Sequence, residues 1–256
     1  MSTTTHLPKI MVAPNGAHKT KADHPALPMT IAETVATAKA CFKAGAQALH
    51  AHVRDDTGRH VLDAGLYTEL LSEMKNAVPD MAVQITTEAV GRYTPDQQRA
   101  LVRAVQPKFV SIALKEMVPD NNTKEAASFY AWAQEAQISV QHIVYEAKEI
   151  TRLANLVATD VIPTDGLTLL FVLGRYSHAQ QSEPSDLNPF IEALEKSELQ
   201  TDWACCAFGH QETNCLLHAL NSGGKARIGF ENSLFNSDGS IAQNNAERVR
   251  ELTSLI

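Results

Sequence analysis

Apolar positions in this chain follow two periods. Short runs with apolar residues at every second position, or at every position, are interleaved with stretches whose apolar residues fall three and four apart, the signatures of strand and helix. A first strand is expected over 9–13, ending in the turn Pro14-Asn15-Gly16. The Thr and Glu of a capping box, Thr30 and Glu33, then open a helix on which Ile31, Val35, Ala38 and Phe42 recur until Gly45 ends it. A second strand carries Leu49-His50-Ala51-His52-Val53, and Leu66, Leu70 and Met74 mark the following helix. A third strand over 81–86 puts Met81, Val83 and Ile85 on one face, and Thr94-Pro95-Asp96-Gln97 opens another helix with an N-cap Thr and a Pro in its first turn. Strands over 109–113, 138–144, 167–173, 203–208 and 226–230 alternate with helices over 124–136, 150–158, 189–196, 213–220 and 245–255.

Eight strand-helix pairs in 256 residues match the rhythm of a (β/α)8 TIM barrel, with residues 1–256 as one α/β domain. An open doubly wound sheet is the alternative. Against it stand the absence of a G-x-G-x-x-G after the first strand and of any composition break. A formal charge of -7, without a cluster of Lys and Arg, gives no footprint for nucleic acid and makes a small molecule the expected partner. No apolar run approaches the roughly 20 residues of a membrane span, and the Thr-rich start lacks the core of a signal peptide. A cytoplasmic setting is therefore expected. Cys41, Cys205, Cys206 and Cys215 show no metal-type spacing and read as reduced, packed thiols.

The chemistry concentrates at His50 and His52. Residues i and i+2 share a face only on a strand, so Leu49, Ala51 and Val53 form an apolar back to a front of His50, His52 and Arg54. Ten histidines are spread along the chain, and the spacing alone leaves metal binding and a chance pair equally open. In a TIM barrel, however, the ends of the strands form the site, which favours the metal. A catalytic metal commonly takes three protein ligands and keeps one position open. On the last strand Arg227, Gly229 and Glu231 share the inward face, so Glu231 offers a carboxylate at the mouth; by spacing alone it could equally pair with Arg227.

Taken together, Ala13-Pro14-Asn15-Gly16-Ala17, Ala44-Gly45-Ala46, His50-Ala51-His52-Val53-Arg54-Asp55 with Gly58, Gln84-Ile85-Thr86-Thr87, the segment from Gly223 to Glu231 and Asn244-Asn245-Ala246-Glu247 resemble the β-keto acid cleavage enzymes over nearly the whole chain. The resemblance implies that His50, His52 and Glu231 bind Zn2+. It further implies that the metal holds a β-keto acid through its keto and carboxylate oxygens, with Arg227 near the substrate. The implied reaction condenses the β-keto acid with acetyl-CoA and cleaves the adduct to acetoacetate and a new acyl-CoA. A homo-oligomer is implied as well.

The chain departs from the family pattern at several positions. Asn232 stands where a carboxylate is usual, and an amide cannot act as a base. His18 stands in place of a glutamate and is a replacement base, or else an exposed loop histidine. Thr86-Thr87-Glu88-Ala89 replaces a segment that grips the substrate carboxylate, and Glu88 would repel that group unless paired, with Lys115 as the expected partner. A strand-five acid that contacts an amino tail is missing, which argues against 3-keto-5-aminohexanoate as substrate and makes His142 a candidate reader of another tail. Thr86, Glu88, Ser111, His142 and Arg54 are thus candidate substrate contacts, with His210 a further residue at the mouth. Two other readings stay open: a zinc-dependent retro-aldolase or hydrolase without CoA, and a barrel that binds a metabolite without turning it over.

Overall fold

The computed structural model describes residues 6–119 and 123–256; the Thr-rich start before His6 lies outside them. Eight parallel strands close into a barrel in chain order. They are β1 (Ile10–Val12), β2 (Ala48–Ala51), β3 (Ala82–Thr86), β4 (Phe109–Ala113), β5 (Ser139–Val144), β6 (Thr168–Leu173), β7 (Asp202–Ala207) and β8 (Lys225–Ile228). The helices are α1 (Ile31–Lys43), α2 (Ala64–Ala77), α3 (Pro95–Val105), α4 (Leu114–Met117), α5 (Lys124–Glu135), α6 (Ala147–Ala158), α7 (Asn188–Ser197), α8 (Glu212–Asn221) and α9 (Asn245–Ser254). No helix among the described residues is long and apolar enough to cross a membrane.

The expected caps are present, with Thr30–Glu33 and Thr94–Gln97 each closing a capping box. The stripe expected on α1 is rotated: Thr34, Ala38 and Cys41 are buried and Phe42 is exposed, because Cys41 rather than Phe42 joins the core against the barrel. The short α4, which no periodicity announced, follows β4 directly.

The main core lies between barrel and helices and takes the outward residues of every strand, among them Leu49, Ala51, Ile85, Ile112, Phe171 and Ile228. Each fully buried Leu, Ile or Phe among them contributes about 1.5–3 kcal/mol. The barrel interior is divided. Ala113, Ile143, Leu170, Val172, Ala204, Cys206 and Phe208 form an apolar cluster on β4 to β7, whereas His50, Gln84, Gln141 and Arg227 are buried polar residues of β2, β3, β5 and β8.

Behind the last strand, fully buried Arg248 on α9 anchors the barrel seam. Its Nη2 donates to Glu212 Oε2 at 2.9 Å and to Thr213 Oγ1 at 2.9 Å, and its Nη1 also pairs with Glu251. The other oxygen of Glu212 accepts from the Gly229 amide at 3.2 Å, tying α8 and α9 to the end of β8. Arg248→Met strands the Glu212 carboxylate in the interior, and equilibrium unfolding is expected to show a loss of about 3–5 kcal/mol.

His142 faces outward from β5 against Tyr130 of α5, with ring centroids 5.1 Å apart. Burial lowers its pKa to about 4. The unfolded chain takes up this proton near pH 6.5 and the folded chain does not, so stability is intact above pH 6.5 and is lost as pH falls to about 4. His142→Phe removes the effect: its stability relative to wild type is expected to rise by about 3 kcal/mol between pH 7 and pH 4 in denaturant titrations.

Candidate active site

His50 projects inward from β2, and His52 follows one residue beyond the strand. Their Nε2 atoms lie 3.1 Å apart. Glu231 arrives from the far end of the chain, with Oε2 3.6 Å from His50 Nε2 and Oε1 3.7 Å from His52 Nε2. One donor atom from each of the three lies within 4.8 Å of the others. Two nitrogens bound at about 2.0–2.1 Å to a tetrahedral ion are themselves about 3.3 Å apart, so the imidazole pair is spaced for a shared cation.

The surroundings also fit a metal. His50 Nδ1 meets Gln84 Oε1 at 2.7 Å, and an amide oxygen can only accept, so Nδ1 carries the hydrogen and Nε2 keeps its lone pair. Gln84 is held in turn by its own Nε2 donating to Gln141 Oε1 at 2.9 Å, and Gln141 donates to the Leu169 carbonyl at 3.1 Å. A line of amides across β3, β5 and β6 thereby fixes the tautomer, the usual support of a metal-binding histidine. Burial, then Arg227, drives His50 well below the ordinary histidine range. Burial pushes Glu231 up, yet Arg227 and the two imidazoles outweigh it and hold the carboxyl well below its usual range. Glu231 Oε2 is buried without a hydrogen-bond partner among the described residues.

The loop after β1 completes this wall. Asn15 donates to the His52 carbonyl at 3.0 Å. Gly16 has φ +61°, and a Cβ there would lie 2.6 Å from Glu231 Cγ, so no other residue lets the loop close on the carboxylate. Arg54, expected at the substrate, instead donates to the carbonyls of Gly16 at 2.5 Å, Lys19 at 2.9 Å and Gly58 at 3.0 Å and does not line the cavity. Its role is to hold the loop: β2 stops at Ala51, and beyond it the alternation of faces no longer applies.

A cavity of about 270 Å3 opens at the cluster, and His18, Thr86, Glu88 and Arg227 are among the residues that line it. Arg227 Nη2 lies 3.5 Å from Glu231 Oε1, while its Nε and Nη1 are buried without partners among the described residues. Thr86 Oγ1 accepts from the Glu88 amide at 3.1 Å, which leaves its own hydrogen to donate. Glu88 is paired, though not with Lys115. Its Oε1 sits 3.6 Å from Arg175 Nη2 and 3.8 Å from His18 Nε2, whereas Lys115 lies over the rings of Tyr145 and Tyr176, 4.1 and 3.9 Å from their centroids. Arg175 also donates to His18 Nε2 at 2.9 Å.

Four more expected residues, besides Arg54, lie away from the lining. His142 points outward, and its neighbour Ile143 faces the cavity in its place, because alternation along β5 sends the two to opposite sides. Ser111 is buried with its hydroxyl unpaired among the described residues and shares the inward face of β4 with Ala113, which lines the cavity. Asn232 is buried beyond the lining, both amide atoms unpaired among the described residues. His210 stacks on Phe235 at 3.8 Å. Sequence reasoning missed Gln84, Gln141, Lys19, Arg175 and Tyr145. Gln84 was within reach, since it shares the face of Thr86 two residues away; Lys19 and Arg175 come from loops without period.

A family model described as beta-keto acid cleavage enzyme matches residues 9–256. The chain is 25% identical to a 3-oxoadipate:acetyl-CoA acetyltransferase of Cupriavidus necator, over 96% of this chain and 87% of that protein. It is 25% identical to a 3-keto-5-aminohexanoate cleavage enzyme of Acetoanaerobium sticklandii, over 94% and 88%. Among solved structures, a ternary complex of ObcA with a C4-CoA adduct and oxalate superposes with a TM-score of 0.70 at 14% identity, covering 90% of this chain. This chain spans 64% of the length of that ObcA chain, and the likeness speaks for the fold alone.

His50→Ala is expected to abolish stoichiometric binding of a divalent cation, and Gln84→Leu to weaken it 10–100-fold by freeing the imidazole. Competition titrations with a chromogenic chelator measure both. Unchanged affinity in Gln84→Leu would remove the tautomer argument.

Proposed function

Because the chain belongs to the beta-keto acid cleavage enzyme family, we propose that it is a zinc-dependent enzyme that condenses a β-keto acid with acetyl-CoA and cleaves the adduct to acetoacetate and a new acyl-CoA. The observation that carries this reading is the His50–His52–Glu231 cluster at the rim of a cavity shared with the unspent N–H groups of Arg227. Two imidazoles and a carboxylate are a donor set that suits zinc with room left for substrate. The acetyl-CoA in the name of the Cupriavidus relative supports the second substrate.

Zinc, when bound there, supplies Lewis acidity that polarises a keto group and acidifies the adjacent C2 protons. Arg227 presents Nε and Nη1 to the substrate carboxylate, and the Thr86 hydroxyl donates a further hydrogen bond. His18 takes the C2 proton at Nε2, once substrate has displaced the Arg175 N–H that this nitrogen accepts from. Burial lowers its pKa while Glu88 opposes the shift, so the imidazole is neutral and basic at pH 7. The C2 carbanion attacks the acetyl carbonyl of acetyl-CoA, and the CoA thiolate leaves. That thiolate attacks C3, the C2–C3 bond breaks, and its electron pair stays on C2 to take back the proton held by His18. Asn232 performs no proton step in this scheme.

Metal-loaded protein is expected to form acetoacetate from a panel of β-keto acids only with acetyl-CoA, to lose the activity on chelation and to regain it with zinc. His18→Gln should lower kcat on the order of 10²–10⁴-fold with zinc retained. Turnover without CoA indicates a retro-aldolase or hydrolase instead, and thermal stabilisation by β-keto acids without any turnover indicates a binding protein.

A further inference from the structure

His52 is engaged on one side of its ring and bare on the other. Its Nε2 faces His50 Nε2 at 3.1 Å and Glu231 Oε1 at 3.7 Å, whereas its Nδ1 is buried without a hydrogen-bond partner among the described residues. Glu88 Oε2 lies 3.7 Å from that nitrogen. The placing of the ring hydrogen accounts for the gap. His50 keeps its own hydrogen at Nδ1, on Gln84, so the short contact between the rings is filled by a hydrogen on His52 Nε2, and Nδ1 has none to offer Glu88. A cation held by both Nε2 lone pairs reverses this: the His52 hydrogen then sits on Nδ1 and is a buried donor in need of an acceptor. Glu88 is held where that acceptor is required. Its amide donates to Thr86 Oγ1 at 3.1 Å and its carbonyl accepts from His60 Nε2 at 3.1 Å, and the His60 ring packs on His52 with centroids 4.8 Å apart.

We infer that Glu88 is a positioning residue of the metal centre: its Oε2 accepts the Nδ1 hydrogen of metal-bound His52, while its Oε1 holds Arg175 and His18 on the substrate side. The inference rests on the metal binding proposed above and not on the reaction. A carboxylate behind a ligating imidazole fixes the tautomer and makes the ring a better donor to the ion. Gln84 does the same for His50 with a neutral amide. The Glu88 side chain is 21% exposed, so it has room to close the remaining distance to Nδ1. Its departure from the family pattern is then a gain at the metal rather than a loss at the substrate.

The test titrates the metal-free protein with zinc in competition with a chromogenic chelator. Glu88→Ala is expected to weaken binding about 10–100-fold, and Glu88→Gln, which keeps an oxygen for the Nδ1 hydrogen, to lose less. In zinc-loaded protein with isotope-labelled histidine, the His52 Nδ1–H proton should give a downfield, slowly exchanging resonance. Glu88→Ala should move it upfield or lose it to exchange, with the His50 Nδ1–H resonance, held by Gln84, unchanged. Equal affinity of Glu88→Ala and wild type, equal losses in the Ala and Gln variants, or an unmoved His52 resonance would each overturn the inference. Absence of acetoacetate formation by zinc-loaded wild type would remove the proposed reaction and leave the inference standing. Failure of the wild type to bind zinc would remove both.

Discussion

Everything at the mouth depends on how the last strand meets the first. β8 pairs with β1 in parallel register, Met11 opposite Arg227, and the pairing continues beyond the strands: the Ala13 amide donates to the Ile228 carbonyl at 2.8 Å and the Glu231 amide to the Ala13 carbonyl at 3.0 Å. At this seam a Cβ on Gly229 would lie 2.4 Å from the Ala13 carbonyl oxygen, and one on Gly16 would strike Glu231. Two glycines therefore permit the close approach that sets a carboxylate from the end of the chain against two imidazoles from its first quarter. The pairing of Arg248 with Glu212 and the bond from Gly229 to Glu212 secure the seam from behind.

The interior of the barrel then separates two kinds of work. On β2, β3, β5 and β8 polar groups are taken out of water, and they persist because each is satisfied or aimed at a ligand: Gln84 and Gln141 hand hydrogen bonds from strand to strand, while Arg227 and Glu231 keep unspent atoms toward the cavity. A buried polar group without a partner costs about 1–3 kcal/mol, a cost that a ligand meeting Arg227 and Glu231 would offset. Toward the mouth on β4, β5 and β6, Ala113, Ile143 and Val172 are apolar and offer only shape.

The departures from the family pattern fall into groups once their surroundings are known. Glu88 does not confront a substrate carboxylate unopposed, since Arg175 from the loop after β6 neutralises it. His18 shares that contact and lines the cavity, which suits a base. Asn232 stays outside the lining, and the change from a carboxylate to an amide there is consistent with proton transfer elsewhere.

The alternation of periods was enough to determine the eight strands, their order and the inward face of His50, because side-chain direction on a strand follows from position alone, whereas Glu231 lies beyond the end of β8 and its direction is set by the turn after Gly229. The same rule could have found Gln84, and it already assigns His142 and Ile143 to opposite faces without saying which is inside. Only the tertiary structure decided that, since the answer depends on which side of β5 the helix carrying Tyr130 packs. It also turned Arg54 from a substrate contact into a clasp on the β1 loop and brought Arg175 to Glu88. These residues lie in loops, where no period constrains direction and partners far apart in the chain meet only once the barrel has closed.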